Sequence, residues 1–576
     1  MTKTRTMTVA KRLAELLKIY GVTEMFSQSL PSALVLASED AGIRQITYRT
    51  ENAAGTMADA YSRISGKLGV VCAQNGPAAT LFVPPLAEAM KVSVPVLALV
   101  QEVPRNQTDK NAFQEIDHIT LFASCTKWAR IVNDSNRIDD YLRQAITAAT
   151  TGRPGPVALM LPADVLLEEV EFSDTGDVYG LGYWPLDRSS ADPANVRTAA
   201  NLLANAKNPV VIAGGGVHSA GACVELAQLQ DIGALPVGTT MMGKGCVDDE
   251  HPLSMGLIGN IMGSKSTGKH LKHLIDTADV ILLVGTRTNQ NGTDSWSLYP
   301  KTAKIIHIDV DGCEIGRNYP ALRLIGDAKL TLSNLIEEFK IIDLQARVSA
   351  KMKLIRDIAA AREKQSAEAA PACDNNETPI RPERILAEVK NILTEDMTIV
   401  ADASYSSVWV NSYLPSLKSG MRFITPRGLA GLGWGFPMAL GAKLADPMKT
   451  VICFAGDGGF GHVWSELETA VREKISVVMI VLNNGTLGYQ KDAEDVKFGR
   501  HTGACYFNPV DHAQIAKACG CEAYTVLEPE DLPKILKKAI QSDGPVLLDI
   551  ITDPAAYPPL TMMENTLEDV RRTKGS

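Results

Sequence analysis

Residues 451–490 read VICFAGDGGFGHVWSELETAVREKISVVMIVLNNGTLGYQ. The apolar run Val451–Ala455 suits a buried parallel strand, and it breaks into Gly456, Asp457, Gly458 and Gly459 just ahead of a helix expected over about 462–472. Glycines after a strand let the backbone approach an anion, and the following helix offers unpaired N–H groups at the positive end of its dipole. A carboxylate at Asp457 would repel that anion unless a cation lay between them. Mg²⁺ suits the place, because it combines one or two protein oxygens with substrate phosphates. A second apolar run, Val477–Leu482, delivers Asn483 and Asn484 at its carboxyl end, where the Asn484 side-chain oxygen and a backbone carbonyl such as that of Thr486 complete a metal shell. The bland alternative is an ordinary Gly-Asp-Gly turn and a strand capped by two asparagines. Both features at successive strand ends favour the metal and phosphate reading.

GDGGF followed by LNNGTLG resembles the cofactor signature of thiamine diphosphate enzymes, and within them most closely the acetohydroxyacid (acetolactate) synthase group. The resemblance implies that Asp457, Asn484 and the Thr486 carbonyl hold Mg²⁺ against the cofactor diphosphate, with Gly456, Gly458 and Gly459 beside it. The cofactor brings an ylid that serves as nucleophile and electron sink. Elsewhere, TEN followed by AAGTMADAYSRISGK is similar to the segment carrying the glutamate that hydrogen-bonds the aminopyrimidine ring, which places that role on Glu51; a helix-capping carboxylate is the plain alternative. Gly76 and Pro77 match a turn near the cofactor ring, although Ala78 replaces the family's last glycine. In GLAGLGWGFP, Leu432 matches the residue that wedges the two cofactor rings into a V. Phe113 and Gln114 match a Phe-Gln pair at the substrate end of the pocket, with Gln114 expected to touch the reacting intermediate, and Lys127 matches a recurring lysine.

The fold expected is α/β, with three doubly wound parallel-sheet domains of the thiamine diphosphate-binding type. Residues 1–187 form a pyrimidine-binding domain and 188–363 a central domain of nucleotide-fold type. A linker falls around 366–380, a diphosphate- and Mg-binding domain spans 380–560, and 561–576 is a tail or lid. A chain of 576 residues with 45% hydrophobic composition can bury several cores. A net charge of −9 argues against nucleic-acid and anionic-membrane partners. Ten cysteines without a CxxC pair read as reduced thiols of a cytoplasmic protein, and no apolar run approaches membrane-spanning length.

In the central region Gly214, Gly215 and Gly216 follow the strand PVVIA. Asp309 is a candidate for a ribose hydroxyl, and Arg287 for a cofactor or an acceptor carboxylate. The resembled synthases bind FAD here without redox use. Their Phe-Asp-Asp-Arg run is replaced by Thr288, Asn289, Gln290 and Asn291, which leaves two alternatives: FAD, or a domain that binds nothing and braces the others. Beside the reactive carbon the family has small or apolar residues where this chain reads Ser27, Gln28 and Ser29. Gln28 is either a loop polar or an inward donor that favours a more polar substrate.

The function expected is acetolactate synthase-like: decarboxylation of a 2-oxo acid and transfer of the acyl carbanion to a carbonyl acceptor. Alternatives are a 2-oxo-acid decarboxylase or 2-hydroxyacyl lyase, a cyclic-diketone hydrolase, and a non-catalytic cofactor-binding regulator, against which Glu51 argues. In the family Glu51 and Asp457 belong to different subunits of one site, so a homodimer or homotetramer is implied.

Overall fold

The computed structural model describes residues 4–173, 179–563 and 567. Three regions each fold around a six-stranded parallel sheet. From edge to edge, the N-terminal sheet runs Arg44–Thr47, Glu24–Ser27, Gly69–Ala73, Val96–Glu102, Val157–Pro162, Trp128–Ile131. The C-terminal sheet runs Arg422–Ile424, Thr398–Ala401, Val451–Gly456, Val478–Asn483, Val546–Ile551, Glu522–Val526. Numbered in chain order within each sheet, both read 2-1-3-4-6-5. The middle sheet, Ser254–Leu257, Val237–Thr239, Pro209–Ala213, Val280–Val284, Lys304–Asp309, Ala321–Ile325, reads 3-2-1-4-5-6, the dinucleotide-fold order. Central strands such as Val280–Val284 are buried at every residue because helices cover both faces.

Where strand order reverses, a crevice opens beyond the carboxyl ends. In the N-terminal sheet it lies after Ser27 and Ala73, in the middle sheet after Ala213 and Val284, and in the C-terminal sheet after Ala401 and Gly456.

The N- and C-terminal sheets share one core, in which Phe26, Met57 and Phe82 belong to the same cluster as Phe436, Phe460 and Leu547. Helix Glu51–Ser65 lies against helix Gly435–Ala445 so closely that a Cβ on Gly441 would come within 2.0 Å of the Met57 carbonyl oxygen. Glu88 locks the same joint by accepting the N–H of Gly428 (2.7 Å) and of Leu429 (2.5 Å).

Two segments differ from the sequence reading. The linker expected from 366 is helical to its middle: one helix runs Gln345–Cys373, so the boundary placed at 363 falls inside it. Its alanines are strong helix formers, and burial of Ala369 ties the last turns to the protein. The helix expected from about 462 begins at Glu466, and the turn before it lets Trp464 Nε1 donate to His512 Nδ1 (3.1 Å). Of the tail, Thr561 is fastened to the middle region through Asn260 O and Asp294 Oδ1. Residues 564–566 and 568–576 lie outside the described residues. Among the described residues no helix is long and apolar enough to cross a membrane.

Candidate active site

The C-terminal crevice is a pocket of about 560 Å³ lined by Leu432, Gly456, Gly458, Gly459, Asn484 and Thr486, together with Ser404, Ser406 and Gly488. Two helices begin at it, Tyr405–Tyr413 and Gly488–Phe498, and neither has a side-chain cap. Both helices therefore turn the positive end of their dipole toward the crevice without a capping side chain in between. Tyr405 Oη donates to Asp492 Oδ2 (2.9 Å) and ties the two helices together. The Gly458–Gly459 backbone has no room for side chains: a Cβ on Gly459 would lie 2.2 Å from Asp402 Oδ2, and one on Gly458 would lie 2.8 Å from Leu487 and Phe507.

Asp457 is 7% exposed. Burial pushes its carboxyl up to about 6, against the opposing backbone hydrogen bonds, which include one from Asn484 N (3.3 Å). A buried carboxylate with no ion-paired side chain among the described residues suits a divalent metal. Asn484 Oδ1 accepts from Thr486 N and Thr486 Oγ1 (both 3.0 Å), a turn that holds the three expected ligands together. Asn483 points the other way and donates to Asp549 Oδ1 (2.9 Å). The pocket therefore fits a diphosphate with a hard cation.

Asp402 lines the same pocket and holds one of its walls in place. Its carboxylate accepts the N–H groups of Gly433, Trp434 and Gly435 at 2.9–3.0 Å, which fixes the loop that carries Leu432. Glu466 is a residue that the sequence reading passed over. Fully buried, it accepts Thr50 N (3.0 Å) and Arg49 N (3.3 Å), so the helix after the metal loop grips the turn just before Glu51. Burial raises its carboxyl above the usual range.

Glu51 opens its helix, and its carboxylate has no hydrogen bond or ion pair among the described residues. Gln28 stands on the same sheet edge, exposed, and its Nε2 donates to Tyr48 O (3.3 Å). Gly76 adopts φ +68°, and a Cβ there would meet Gln114 O at 2.7 Å. Its N–H donates to His118 Nε2 (3.0 Å), and His118 Nδ1 meets Glu102 Oε2 (2.6 Å); this pair braces the turn and left no signal in the sequence. Gln114 is also left-handed at φ +62°, and its side-chain oxygen accepts from Gln74. Phe113 beside it is 84% exposed. Lys127 is elsewhere, donating to the carbonyls of Thr151 and Arg153. The site residues thus fall into two groups, one on each outer sheet. No residue of the N-terminal group lines the C-terminal pocket of the same chain.

A larger cavity, about 1330 Å³ counted to its open mouth, occupies the middle crevice. Gly214, Gly215, Gly216, Arg287, Asn289 and Asp309 line it. Gly216 packs on Gly285, where a Cβ would meet Cα at 2.7 Å. Burial pushes the Asp309 carboxyl up to about 6 and lowers the Arg287 guanidinium. Its size, its glycines, and one acidic and one basic group on its wall fit a nucleotide.

Three family profiles match in order: "Thiamine pyrophosphate enzyme, N-terminal TPP binding domain" over residues 7–121, its "central domain" over 196–335 and its "C-terminal TPP binding domain" over 402–550. A probable acetolactate synthase large subunit of Methanocaldococcus jannaschii is 33% identical, over 98% of this chain and 95% of its own. An acetolactate synthase of Arthrospira platensis is 31% identical (96% and 95%), and a glyoxylate carboligase of Escherichia coli O157:H7 is 30% identical (89% and 87%).

Proposed function

Since the chain belongs to the thiamine pyrophosphate enzyme family and is a thiamine diphosphate-dependent lyase or transferase of 2-oxo acids, we propose that it joins two carbon fragments as an acetolactate synthase does. It would decarboxylate a 2-oxo acid and pass the acyl carbanion to a carbonyl acceptor. The observation that carries this reading is the full-length relationship to acetolactate synthases together with the Gln74–Gly76–Gln114 cluster at the substrate edge.

Thiamine diphosphate, when bound, supplies a carbon nucleophile and an electron sink. Asp457, Asn484 and the Thr486 carbonyl would hold Mg²⁺, and the helix starts at Tyr405 and Gly488 would face the diphosphate. Leu432, held by the Asp402 clamp, orients the rings. Glu51 moves a proton at its carboxylate, which is free of internal partners. Gln114 and Gln28 orient the substrate oxygens and Gly76 admits the ring. A second copy of the chain completes the site, giving a homodimer or homotetramer; support comes from the separation of the two groups and from exposed Phe113, Leu429 and Phe507 around them. The middle cavity would hold FAD without redox use, with Asp309 and Arg287 on its wall as the charged groups that would meet it.

A second reading, with a more polar acceptor or donor, is favoured by exposed Gln28 and Ser29 at the mouth of the N-terminal crevice. One experiment tests both readings of the reaction. The Mg²⁺–thiamine diphosphate protein is incubated with a panel of 2-oxo acids and cyclic diketones, with and without carbonyl acceptors, and products are identified by mass spectrometry. Two-substrate adducts are expected. Decarboxylation without adducts selects the decarboxylase, and inertness across the panel refutes the proposal. Flavin absorbance released on denaturation decides the FAD assignment.

A further inference from the structure

Cysteines scattered through a sequence can still converge in space. Cys223, the first residue of helix Cys223–Ile232, and Cys246, in the loop after Met241–Gly243, meet His218 of the short helix Gly216–Ser219. One sulfur from each cysteine and one ring nitrogen of His218 all lie within 4.8 Å of one another. Metal bonds of about 2.3 Å to sulfur and about 2.0 Å to nitrogen put neighbouring donors roughly 3.5–4.0 Å apart in trigonal or tetrahedral geometry. Cys223 Sγ and His218 Nδ1 already stand 3.6 Å apart.

The surroundings orient these donors. His218 Nε2 lies 2.9 Å from the Lys244 carbonyl oxygen, so this nitrogen carries the ring proton and Nδ1 presents its lone pair to the sulfurs. The loop holding Cys246 is pinned in turn: Gly420 N donates to Gly245 O (2.7 Å), and a Cβ on Gly245 would meet Met421 O at 2.0 Å. Cys246 is fully buried and Cys223 nearly so. Half-buried Arg422, next to the Met421 that packs on Gly245, has a buried Nε without a hydrogen-bond partner among the described residues, and its charge acts on both thiols.

We infer that Cys223, Cys246 and His218 form a binding site for a soft, monovalent d¹⁰ cation, Cu(I) being the fitting ion, at the joint between the middle and C-terminal regions. Softness follows from two sulfurs and an imidazole. The charge follows from Arg422: two thiolates with one Cu(I) carry −1, which the guanidinium balances. The coordination number agrees, because no fourth His, Cys, Asp or Glu joins the group among the described residues, whereas a structural Zn²⁺ calls for four ligands. On binding, each thiol gives its proton to solvent and both sulfurs bond the metal, with no change of oxidation state. The ion would tie the helices Gly216–Ser219 and Cys223–Ile232 to the loop of Cys246, whose Gly245 packs against Gly420 and Met421 just ahead of the strand Arg422–Ile424.

The test uses the full chain with Mg²⁺ and thiamine diphosphate, purified without oxygen and stripped of copper. Cu(I) is offered in competition with a chromophoric Cu(I) chelator. One equivalent per chain is expected to be retained, with an X-ray absorption shell of two sulfurs and one nitrogen. Cys223→Ser and Cys246→Ser should each weaken retention at least 100-fold, while Cys313→Ser, at an exposed cysteine outside the group, should leave it unchanged. If either serine variant fails to fold, the absorption shell of the parent decides. Retention equal to that of the double serine variant, a shell without two sulfurs, tighter hold on Zn²⁺ than on Cu(I), or a Cys223–Cys246 disulfide in the anaerobic protein would each overturn the assignment.

Discussion

At the scale of single residues, two carboxyl groups make opposite predictions. Glu51 has no internal partner, so its replacement should disturb chemistry and not structure. Glu51→Gln is expected to lower kcat by about 10²–10⁴-fold while cofactor affinity, read by calorimetry, stays close to that of the parent; full activity would remove Glu51 from the mechanism. Asp309 is raised by burial to about 6 from 3.8. Between those values the native state holds more protons than the unfolded chain, so Asp309 makes stability fall as pH rises through that window. Asp309→Asn should therefore be more stable than the parent at pH 8 in ligand-free protein, by up to about 3 kcal/mol, and the gain should vanish near pH 4. Urea unfolding at the two pH values checks the sign, and an equal gain at both would contradict it. Among residues, Glu51, Asp457 and Asn484 were legible because each sits at a strand or helix end with a telling neighbour. Glu466 and His118 were not, since their partners Thr50 and Gly76 lie 416 and 42 residues away.

At the scale of elements, the joint between helices Glu51–Ser65 and Gly435–Ala445 is set by one missing side chain. Gly441→Ala has to push the Met57 backbone away, and such overpacking costs about 1–3 kcal/mol, or more when backbone must move. Chemical denaturation should show that loss, and a neutral substitution would mean that the helices are less tightly apposed. The Asp402 clamp carries a second prediction. Asp402→Ala leaves three loop N–H groups without their carboxylate, so amide exchange at Gly433–Gly435 should accelerate and thiamine diphosphate should bind more weakly. Unchanged exchange would deny the clamp. The periodicity of the sequence indicated most of these elements. It missed the continuation of helix Gln345–Cys373 because Ala-rich sequence followed by Pro and Asn looks like a linker until Ala369 is seen to be buried.

At the scale of the whole molecule, a site completed by a second copy predicts complementation. Glu51→Gln and Asp457→Ala are each expected to be inactive, yet co-refolded in equal amounts they should regain roughly a quarter of parental activity, since half the dimers would be mixed and each would hold one intact site of two. No recovery in demonstrably mixed dimers would place both residues in one chain's site. The sequence by itself determined the α/β class and the cofactor, because a glycine-rich turn between a strand and a helix is local chemistry that a short motif carries whole. Only the tertiary structure decided that Asp402 holds a loop, that Asn483 turns away while Asn484 faces the pocket, and that the middle crevice opens into a cavity larger than the C-terminal one. It alone brought His218, Cys223, Cys246 and Arg422 together, for these arise from packing between residues distant in the chain, and no local pattern records which of them will meet.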